Sequence, residues 1–290
     1  MVLAGPDYAA PAKLNLFLHV TGRRPDGYHD IQTVFQLVDL ADRLHFTPRE
    51  DGRILRVEGP ADVALESDLT LRAARRLQAA SGLDHGVDIR IEKHIPIQGG
   101  LGGGSSDAAT TLVALNEIWG LRLAPSLLAE LGLELGADVP FFVHGETAWG
   151  EGIGERLTPL ELPERHFAIV FPGVGISTTE VFQAPELTRK TPETTIRGFL
   201  KAGGRNDCEP VVTGRSPEVR RALAWLAQRG KARMTGTGSC VFAAFGDRGS
   251  AQAALEGLPP EWRGFVARGL GRSPLQERLA AERSRGRGKV

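Results

Sequence analysis

The sequence is poor in cysteine. Its 290 residues include only Cys208 and Cys240, so at most one disulfide could form. A chain of this length can bury a sufficient core without covalent crosslinks, which favours reduced thiols. The seven histidines lack H-E-x-x-H or C-x-x-C spacing around them, so we expect no structural metal site and assign no residue as a metal ligand.

An excess of charge is also missing, because 35 lysine and arginine residues balance 35 aspartate and glutamate residues. Affinity for nucleic acid rests largely on positive charge, so the balance argues against a nucleic-acid partner. No apolar run approaches the roughly 18 residues of a membrane span, and no basic-then-apolar leader opens the chain. We therefore expect a cytoplasmic protein without a membrane or nucleic-acid partner.

The first half of the chain predicts strands and helices around one glycine-rich segment. Residues 8–20 alternate between apolar and polar positions, which predicts a half-buried strand with Lys13 and Asn15 on its polar face. A second alternating strand over 87–93 leads directly into the glycine cluster 99–104. The order in this part is therefore strand, glycine-rich loop and helix.

Two further helices are predicted in this half of the chain. Apolar residues at helical spacing predict a helix over 68–80. Another over 125–135 ends at Gly136, and Pro140 is taken to forbid its continuation.

The pattern changes at about residue 156, where strands and helices begin to alternate in a second α+β layer. We predict an N-terminal domain over 1–158, a C-terminal domain over 159–280 and a flexible tail over 281–290. The predicted elements of the second half are strands at 166–171, 231–234, 240–245 and 263–268 and helices at 192–202, 217–228 and 249–257.

The glycine cluster is the sharpest local signal. Glycines let backbone N–H groups approach a ligand closely, and the following helix, with Ser105 or Ser106 as its predicted N-cap, adds free donors, so the segment suits a phosphate. It matches neither the Walker A spacing nor G-x-G-x-x-G, and the alternative is a tight turn or a flexible linker. The candidate phosphate-binding residues are Pro96, Ile97, Gln98, Gly99, Gly100, Leu101, Gly102, Gly103, Gly104, Ser105 and Ser106.

Two charged residues could form a second part of a site. A lysine on a strand, such as Lys13, is ordinarily a solvated residue, and Asp138, after a predicted helix end, is ordinarily a turn or capping residue. However, Asp138 lies in an apolar run, where a carboxylate needs a cation or several donors, and Lys13 could be that cation. The segment Met234–Cys240 is either a tight hairpin or a further glycine-rich ligand loop.

Taken in chain order, these segments resemble the GHMP kinase superfamily. Its three motifs would be Pro11–Leu16, the loop Pro96–Ser106 and Thr235–Ser239. More narrowly, the chain is similar to the branch of that superfamily which phosphorylates a cytidine diphosphate sugar alcohol. The narrower resemblance rests on Pro11–Leu18, Thr21–His29, Leu135–Pro140 and Asn206–Glu209.

The resemblance implies an α+β, two-domain GHMP kinase fold. The N-terminal domain would be like the second domain of ribosomal protein S5, and the C-terminal domain would be ferredoxin-like, with the active site between them. The implied reaction moves the γ-phosphoryl group of ATP, with Mg²⁺, onto the 2-hydroxyl of the sugar alcohol in the non-mevalonate route to isopentenyl diphosphate. The implied assembly is a monomer or a weak homodimer.

The resemblance also implies roles for individual residues. Asp138 would receive the hydroxyl proton, Lys13 would hold Asp138 ionised and steady the attacking oxygen, and the loop 96–106 would wrap the ATP phosphates. Gln98 stands where related loops often carry a small residue. The second substrate would be held by Asn15, Tyr28, His29, Thr178 and Phe182, with Tyr28 and Phe182 stacking on the cytosine.

Two alternatives stay open from the sequence. The first is a GHMP kinase for another small alcohol, such as mevalonate, homoserine or galactose. The aromatic residues Tyr28 and Phe182 argue against it, because a small acid does not need aromatic faces. The second is a non-catalytic nucleotide- or RNA-binding module, against which stand the zero net charge and the joint presence of Lys13 and Asp138.

Overall fold

The computed structural model describes residues 7–279, and the predicted flexible tail at 281–290 lies outside them. The strands are β1 (Asp7–Arg23), β2 (His29–Arg49), β3 (Ile54–Glu58), β4 (Gly86–Glu92), β5 (Ala148–Glu151), β6 (Arg156–Pro159), β7 (His166–Phe171), β8 (Arg233–Met234), β9 (Val241–Phe245) and β10 (Arg263–Leu270). The helices are α1 (Leu69–Ser81), α2 (Gly103–Ile118), α3 (Pro125–Leu133), α4 (Val139–His144), α5 (Thr178–Gln183), α6 (Ile196–Ala202), α7 (Glu209–Arg215), α8 (Pro217–Ala227) and α9 (Arg248–Ala253).

One mixed sheet joins the two halves of the described chain. Its order is β3-β4-β2-β10-β7-β9-β8, with β1 and β5 also paired to β2. The two halves meet where β10 pairs with β2, through Gly269 opposite Val38 and Leu270 opposite Leu37. The α+β architecture predicted from the sequence is confirmed, while the boundary between 158 and 159 stays a prediction.

Helix α1 forms where its sequence provides both end signals. The Asp68 side chain accepts a hydrogen bond from the backbone N–H of Thr70 at the N-terminus, and Gly82 takes the left-handed conformation with φ of 66° after the last turn. The buried face, including Leu71 and Leu77, packs in the largest core cluster with residues of α2 and of the sheet. The helix matches the apolar repeat in the sequence.

The prediction that Ser105 or Ser106 caps helix α2 is wrong. The helix begins at Gly103, and its N-cap is Gly102, with φ of 72° and no side-chain cap. Ser106 is instead buried and donates its hydroxyl hydrogen bond to the carbonyl oxygen of Pro11 at 2.7 Å. The glycine-rich segment therefore runs into the first helical turn, whose first backbone N–H groups have no partner within the helix.

The prediction that β1 is half-buried is also wrong, because both faces of the strand are covered. Lys13, Asn15 and Phe17 on the predicted polar face are buried like the apolar residues opposite them. The covering groups come from distant parts of the chain: a Cβ added to Gly102 would lie 3.1 Å from the Lys13 side chain, and one added to Gly204 would lie 2.6 Å from that of Phe17. A period-2 pattern shows which residues share a face but not whether a loop covers it.

A small core cluster lies beneath the junction of the two halves. It includes Leu14 of β1, Leu101 of the glycine loop, Ile169 of β7 and Phe242 of β9. Because these residues come from both halves, their packing fixes the glycine loop relative to the second half of the sheet. In residues 7–279, no helix has the length and apolarity needed to cross a membrane.

Candidate active site

Lys13 and Asp138 lie side by side at the edge of a cavity. The Lys13 ammonium is 3.2 Å from Oδ2 of Asp138, and the lysine side chain is 5% exposed whereas the aspartate side chain is 30% exposed. Asp138 precedes α4, a short helix that was not predicted from the sequence because Pro140 was taken as a stop. Proline is compatible with the first helical turn, so the chain turns into α4 directly after Asp138.

Asn15 connects Lys13 to its surroundings. Its side-chain oxygen accepts a hydrogen bond of 2.5 Å from the Lys13 ammonium, and its Nδ2 donates to the Thr33 hydroxyl at 2.9 Å. The ammonium also lies 5.4 Å from the centre of the Phe35 ring. The lysine is therefore held by Asn15 and Asp138 together, with an aromatic ring beside it.

The glycine loop packs against the loop between β8 and β9. The backbone N–H of Cys240 donates to the carbonyl of Gly99 at 3.0 Å. A Cβ added to Gly100 would lie 2.5 Å from the carbonyl oxygen of Thr235 and 2.8 Å from that of Gly238. The segment Met234–Cys240 connects the antiparallel strands β8 and β9, as a hairpin would. It also contacts the glycine loop, at Gly99 and Gly100.

Gln98 has a distinct place in the loop. It adopts a positive φ of 56°, which is uncommon for a residue with a side chain. Its side chain turns towards Gly175, where an added Cβ would come within 2.3 Å of the Gln98 amide oxygen. The amide thus packs against the segment after β7, and Gly175 leaves the space for it.

These elements enclose a cavity of about 620 Å³. The cavity is large enough for a drug-sized ligand. Of the residues predicted from the sequence, it is lined by Lys13, Asn15, Pro96, Ile97, Gln98, Gly99, Gly100, Leu101, Gly102, Gly103, Gly104, Ser105, Asp138, Thr178 and Phe182. The structure thus brings the glycine loop, the Lys13–Asp138 pair and two of the predicted substrate residues to one cavity.

Three predicted site residues do not line this cavity. Ser106 is turned towards Pro11, as described above. Tyr28 is 57% exposed in the turn between β1 and β2. His29 is buried, and its ring stacks on that of Phe182 with a centroid distance of 5.3 Å and an interplanar angle of 28°.

Thr178, which does line the cavity, shares a hydrogen bond of 2.9 Å with the Thr237 hydroxyl.

A buried charge cluster lies under the loop and was not predicted from the sequence. The Lys93 ammonium contacts the carboxylates of Asp42 and Asp107, and the backbone N–H groups of His94 and Ile95 donate to Asp42. Burial raises the pKa of Asp107 to about 7, against the opposing attraction of Lys93. A lysine just before the glycine segment, in a chain with few lysines, was the available signal.

Comparison with known proteins identifies the family. Residues 68–146 match the model of the GHMP kinases N-terminal domain, and residues 187–263 match that of the GHMP kinases C-terminal domain. The 4-diphosphocytidyl-2-C-methyl-D-erythritol kinase of Halorhodospira halophila is 56% identical over 276 residues, which is 94% of this chain and 96% of the relative. The chain belongs to this family of GHMP kinases.

Other members of the family agree with this assignment. The enzyme of the same name from Nitrosococcus oceani is 57% identical over 272 residues, covering 94% of this chain and 97% of the relative. A crystal structure of 4-(cytidine 5'-diphospho)-2C-methyl-D-erythritol kinase superimposes with a TM-score of 0.81 at 35% identity, over 92% of this chain and all of that one. A mevalonate kinase structure, with a TM-score of 0.68 at 17% identity, shares the two-domain GHMP kinase fold.

Proposed function

We propose that this chain transfers the γ-phosphoryl group of ATP to the 2-hydroxyl of 4-diphosphocytidyl-2-C-methyl-D-erythritol, giving the 2-phosphate and ADP. The observation that carries the proposal is the Lys13–Asp138 contact of 3.2 Å in a cavity that the glycine loop also lines. The substrate follows from the family, in which relatives at 53–57% identity bear this enzyme's name.

The proposed reaction needs little covalent participation by the protein. The substrate hydroxyl oxygen forms a bond to the γ-phosphorus, the bond from that phosphorus to the β,γ-bridging oxygen breaks, and ADP leaves with the electron pair. Catalysis then depends on positioning and on stabilising the negative charge of the phosphoryl group. The backbone N–H groups of loop 96–106 and the first turn of α2 suit the ATP phosphates.

We assign Asp138 as the group that interacts with the proton of the substrate hydroxyl. Its carboxylate is the partly exposed member of the pair, so a substrate hydroxyl can donate a hydrogen bond to it from the cavity. The proton lost during transfer passes to this carboxylate, or the carboxylate orients the hydroxyl while the proton leaves with solvent. Lys13 keeps the carboxylate in place and adds positive charge beside the attacking oxygen.

Mg²⁺ would come to the site with the ATP phosphates. Kinases bind this ion through phosphate oxygens and one or two carboxylates rather than through a cage of protein ligands. Within residues 7–279 there is no group of three or more His, Cys, Asp or Glu residues that could hold a metal. Oxygen donors suited to the ion are nevertheless present, since Ser105 and Asp107 line the cavity and Oδ1 of Asp107 is buried without a hydrogen-bond partner in the described chain.

Ser105 and Asp107 are therefore the residues that would hold Mg²⁺. The bound ion would neutralise phosphate charge in the transition state. The cytosine would stack at the Tyr28 and Phe182 end of the site, with Asn15, His29 and Thr178 as the remaining proposed contacts. A cytoplasmic monomer or weak homodimer without nucleic-acid or membrane partners stays a prediction from the sequence.

A coupled assay of ADP release tests the proposal. The protein is given Mg-ATP with 4-diphosphocytidyl-2-C-methyl-D-erythritol, and parallel reactions contain mevalonate, homoserine or galactose. We expect turnover with the cytidine substrate alone. Turnover with one of the other alcohols would contradict the proposed substrate but support the proposed phosphoryl transfer. ATP binding without turnover on any of the four would contradict the kinase proposal in favour of a nucleotide-binding module.

A further inference from the structure

Arg189 holds together two segments that are far apart in the sequence. Its Nε donates a hydrogen bond of 3.0 Å to Nε2 of His29, at the start of β2. Its two other nitrogens donate to backbone carbonyls at and beyond the end of α5, at 3.0 Å to Phe182, 2.6 Å to Ala184 and 3.1 Å to Leu187. One guanidinium group therefore fixes both a histidine ring and the backbone of the residue whose ring stacks on it.

This contact determines which nitrogen of His29 carries the proton. The arginine side chain can only donate hydrogen bonds, so Nε2 must accept, and the ring is neutral with its proton on Nδ1. Burial lowers the pKa of His29, and the charges of Arg189 and Arg23 lower it further, while Asp30 acts in the opposite direction. The hydrogen-bond direction and the surrounding charges agree on a neutral imidazole.

The His29 ring in turn fixes Phe182. The two rings stack at 5.3 Å, and Phe182 lines the cavity next to Thr178 and Thr237. The Phe182 ring is thus held through its backbone by Arg189 and through its face by His29. A ring held in this way presents a fixed surface to a planar ligand, which lowers the entropy lost on binding.

We propose that Arg189 is a positioning residue for the cytidine-bearing substrate, acting through His29 and Phe182. The proposal rests on the proposed function, because it assigns the aromatic end of the cavity to the pyrimidine ring. Within residues 7–279, the hydrogen bonds of Arg189 go to His29 and to the backbone of residues 182–187 and not to the glycine loop, so we expect its effect on the second substrate and not on ATP.

The test measures the KM values for the cytidine substrate and for ATP in Arg189→Met and Arg189→Lys. We expect Arg189→Met to raise the KM for the cytidine substrate about tenfold or more while changing the KM for ATP by less than about twofold. Arg189→Lys keeps the positive charge but lacks the planar guanidinium that reaches all the acceptors. Its KM for the cytidine substrate should therefore lie between those of the unaltered protein and Arg189→Met. The matched control is Lys190→Met, which removes the same charge from an exposed neighbouring residue and should leave both KM values unchanged.

An NMR titration of the His29 ring in the ligand-free protein is the second measurement. Loss of the Arg189 charge removes one of the causes that lower the pKa of His29, so this pKa should rise in Arg189→Met and stay unchanged in Lys190→Met. An equal rise of both KM values, or no change in either, would overturn the positioning role. An unchanged His29 titration in Arg189→Met would overturn the Arg189–His29 contact. Absence of turnover in the unaltered protein would instead refute the proposed function, and the titration would still test the contact.

Discussion

The Asp138 carboxylate lies 3.2 Å from the Lys13 ammonium, and it is the more exposed member of the pair. Both side chains line the cavity, and because the lysine is almost fully buried, the carboxylate is the more accessible of the two charges. A pair arranged in this way keeps a proton acceptor accessible to substrate while its charge is balanced from the protein side.

Asp138→Asn should keep the fold and ATP binding but lower kcat by roughly two orders of magnitude or more, the scale of a lost positioned acid–base group. The amide has nearly the same shape but cannot take the hydroxyl proton. Steady-state kinetics measure kcat, and ATP titration with the variant checks the nucleotide site. Glu134→Gln, at an exposed residue of the same region, is the control and should behave like the unaltered protein. Near-normal kcat in Asp138→Asn would contradict the role given to Asp138.

Lys13→Met should lower kcat by a similar factor, about a hundredfold, since it removes the cation beside the attacking oxygen. Methionine fills much of the same space, so the loss reflects charge more than volume. The variant also leaves the Asn15 side-chain oxygen without its donor, so the melting temperature should fall as well. Double-mutant kinetics with Asp138→Asn measure the coupling, and fully additive losses would show that the two side chains act independently.

Gly100→Ala should disrupt the contact between the two loops. Gly100 has φ of 76°, and its added Cβ would lie 2.5 Å and 2.8 Å from two backbone oxygens of the loop between β8 and β9. The backbone strain of alanine at a positive φ and the overlap of its Cβ with the two oxygens both predict a large rise in the KM for ATP. They also predict a lower melting temperature. Gly104→Ala is the steric control, because its Cβ would make an ordinary contact with Leu69 at 3.5 Å and, within helix α2, should not lower the melting temperature. A normal melting temperature in Gly100→Ala would show that the two loops do not need this close approach.

Asn206→Asp should weaken the support of the loop between β8 and β9. The Asn206 amide donates to the carbonyls of Met234 and Gly236 at 2.9 Å and 2.7 Å, while its oxygen accepts from the Cys208 N–H. A carboxylate would place negative charge against two carbonyl oxygens in a buried position, at a cost of about 1–3 kcal/mol in the free energy of unfolding. Urea unfolding measures that loss, with the exposed substitution Gln228→Glu as a control for the added charge. Equal stability of the two variants would refute the predicted role of Asn206.

Much of the fold could be predicted from local patterns. The strand predicted at 166–171 coincides with β7, and the predicted helices at 68–80 and 217–228 each match to within one residue, because apolar periodicity and end signals agree there. The short helix α4 was missed because Pro140 was read only as a stop, although proline also starts helices.

Site residues could be predicted where a single segment of the sequence shows the functional feature by itself. The glycine run, Lys13 and Asp138 stand out by composition and neighbours, and the structure places all three at one cavity. Arg189 and Asn206 could not be assigned a role, since their importance depends on which distant groups the fold brings to them. For the same reason, alternation in β1 could not show that its polar face is covered.

The order of these residues along the chain has a consequence for synthesis. Lys13, the glycine loop and Asp138 are all synthesised before the groups that pack on the loop, which lie from Thr235 to Cys240. Until then Gly99 lacks its hydrogen bond from Cys240, and the backbone N–H of Asn15 lacks its bond to the Thr235 hydroxyl. The glycine loop therefore reaches its final packing only after Cys240 has been synthesised, so a finished nucleotide site depends on folding of the second half of the chain.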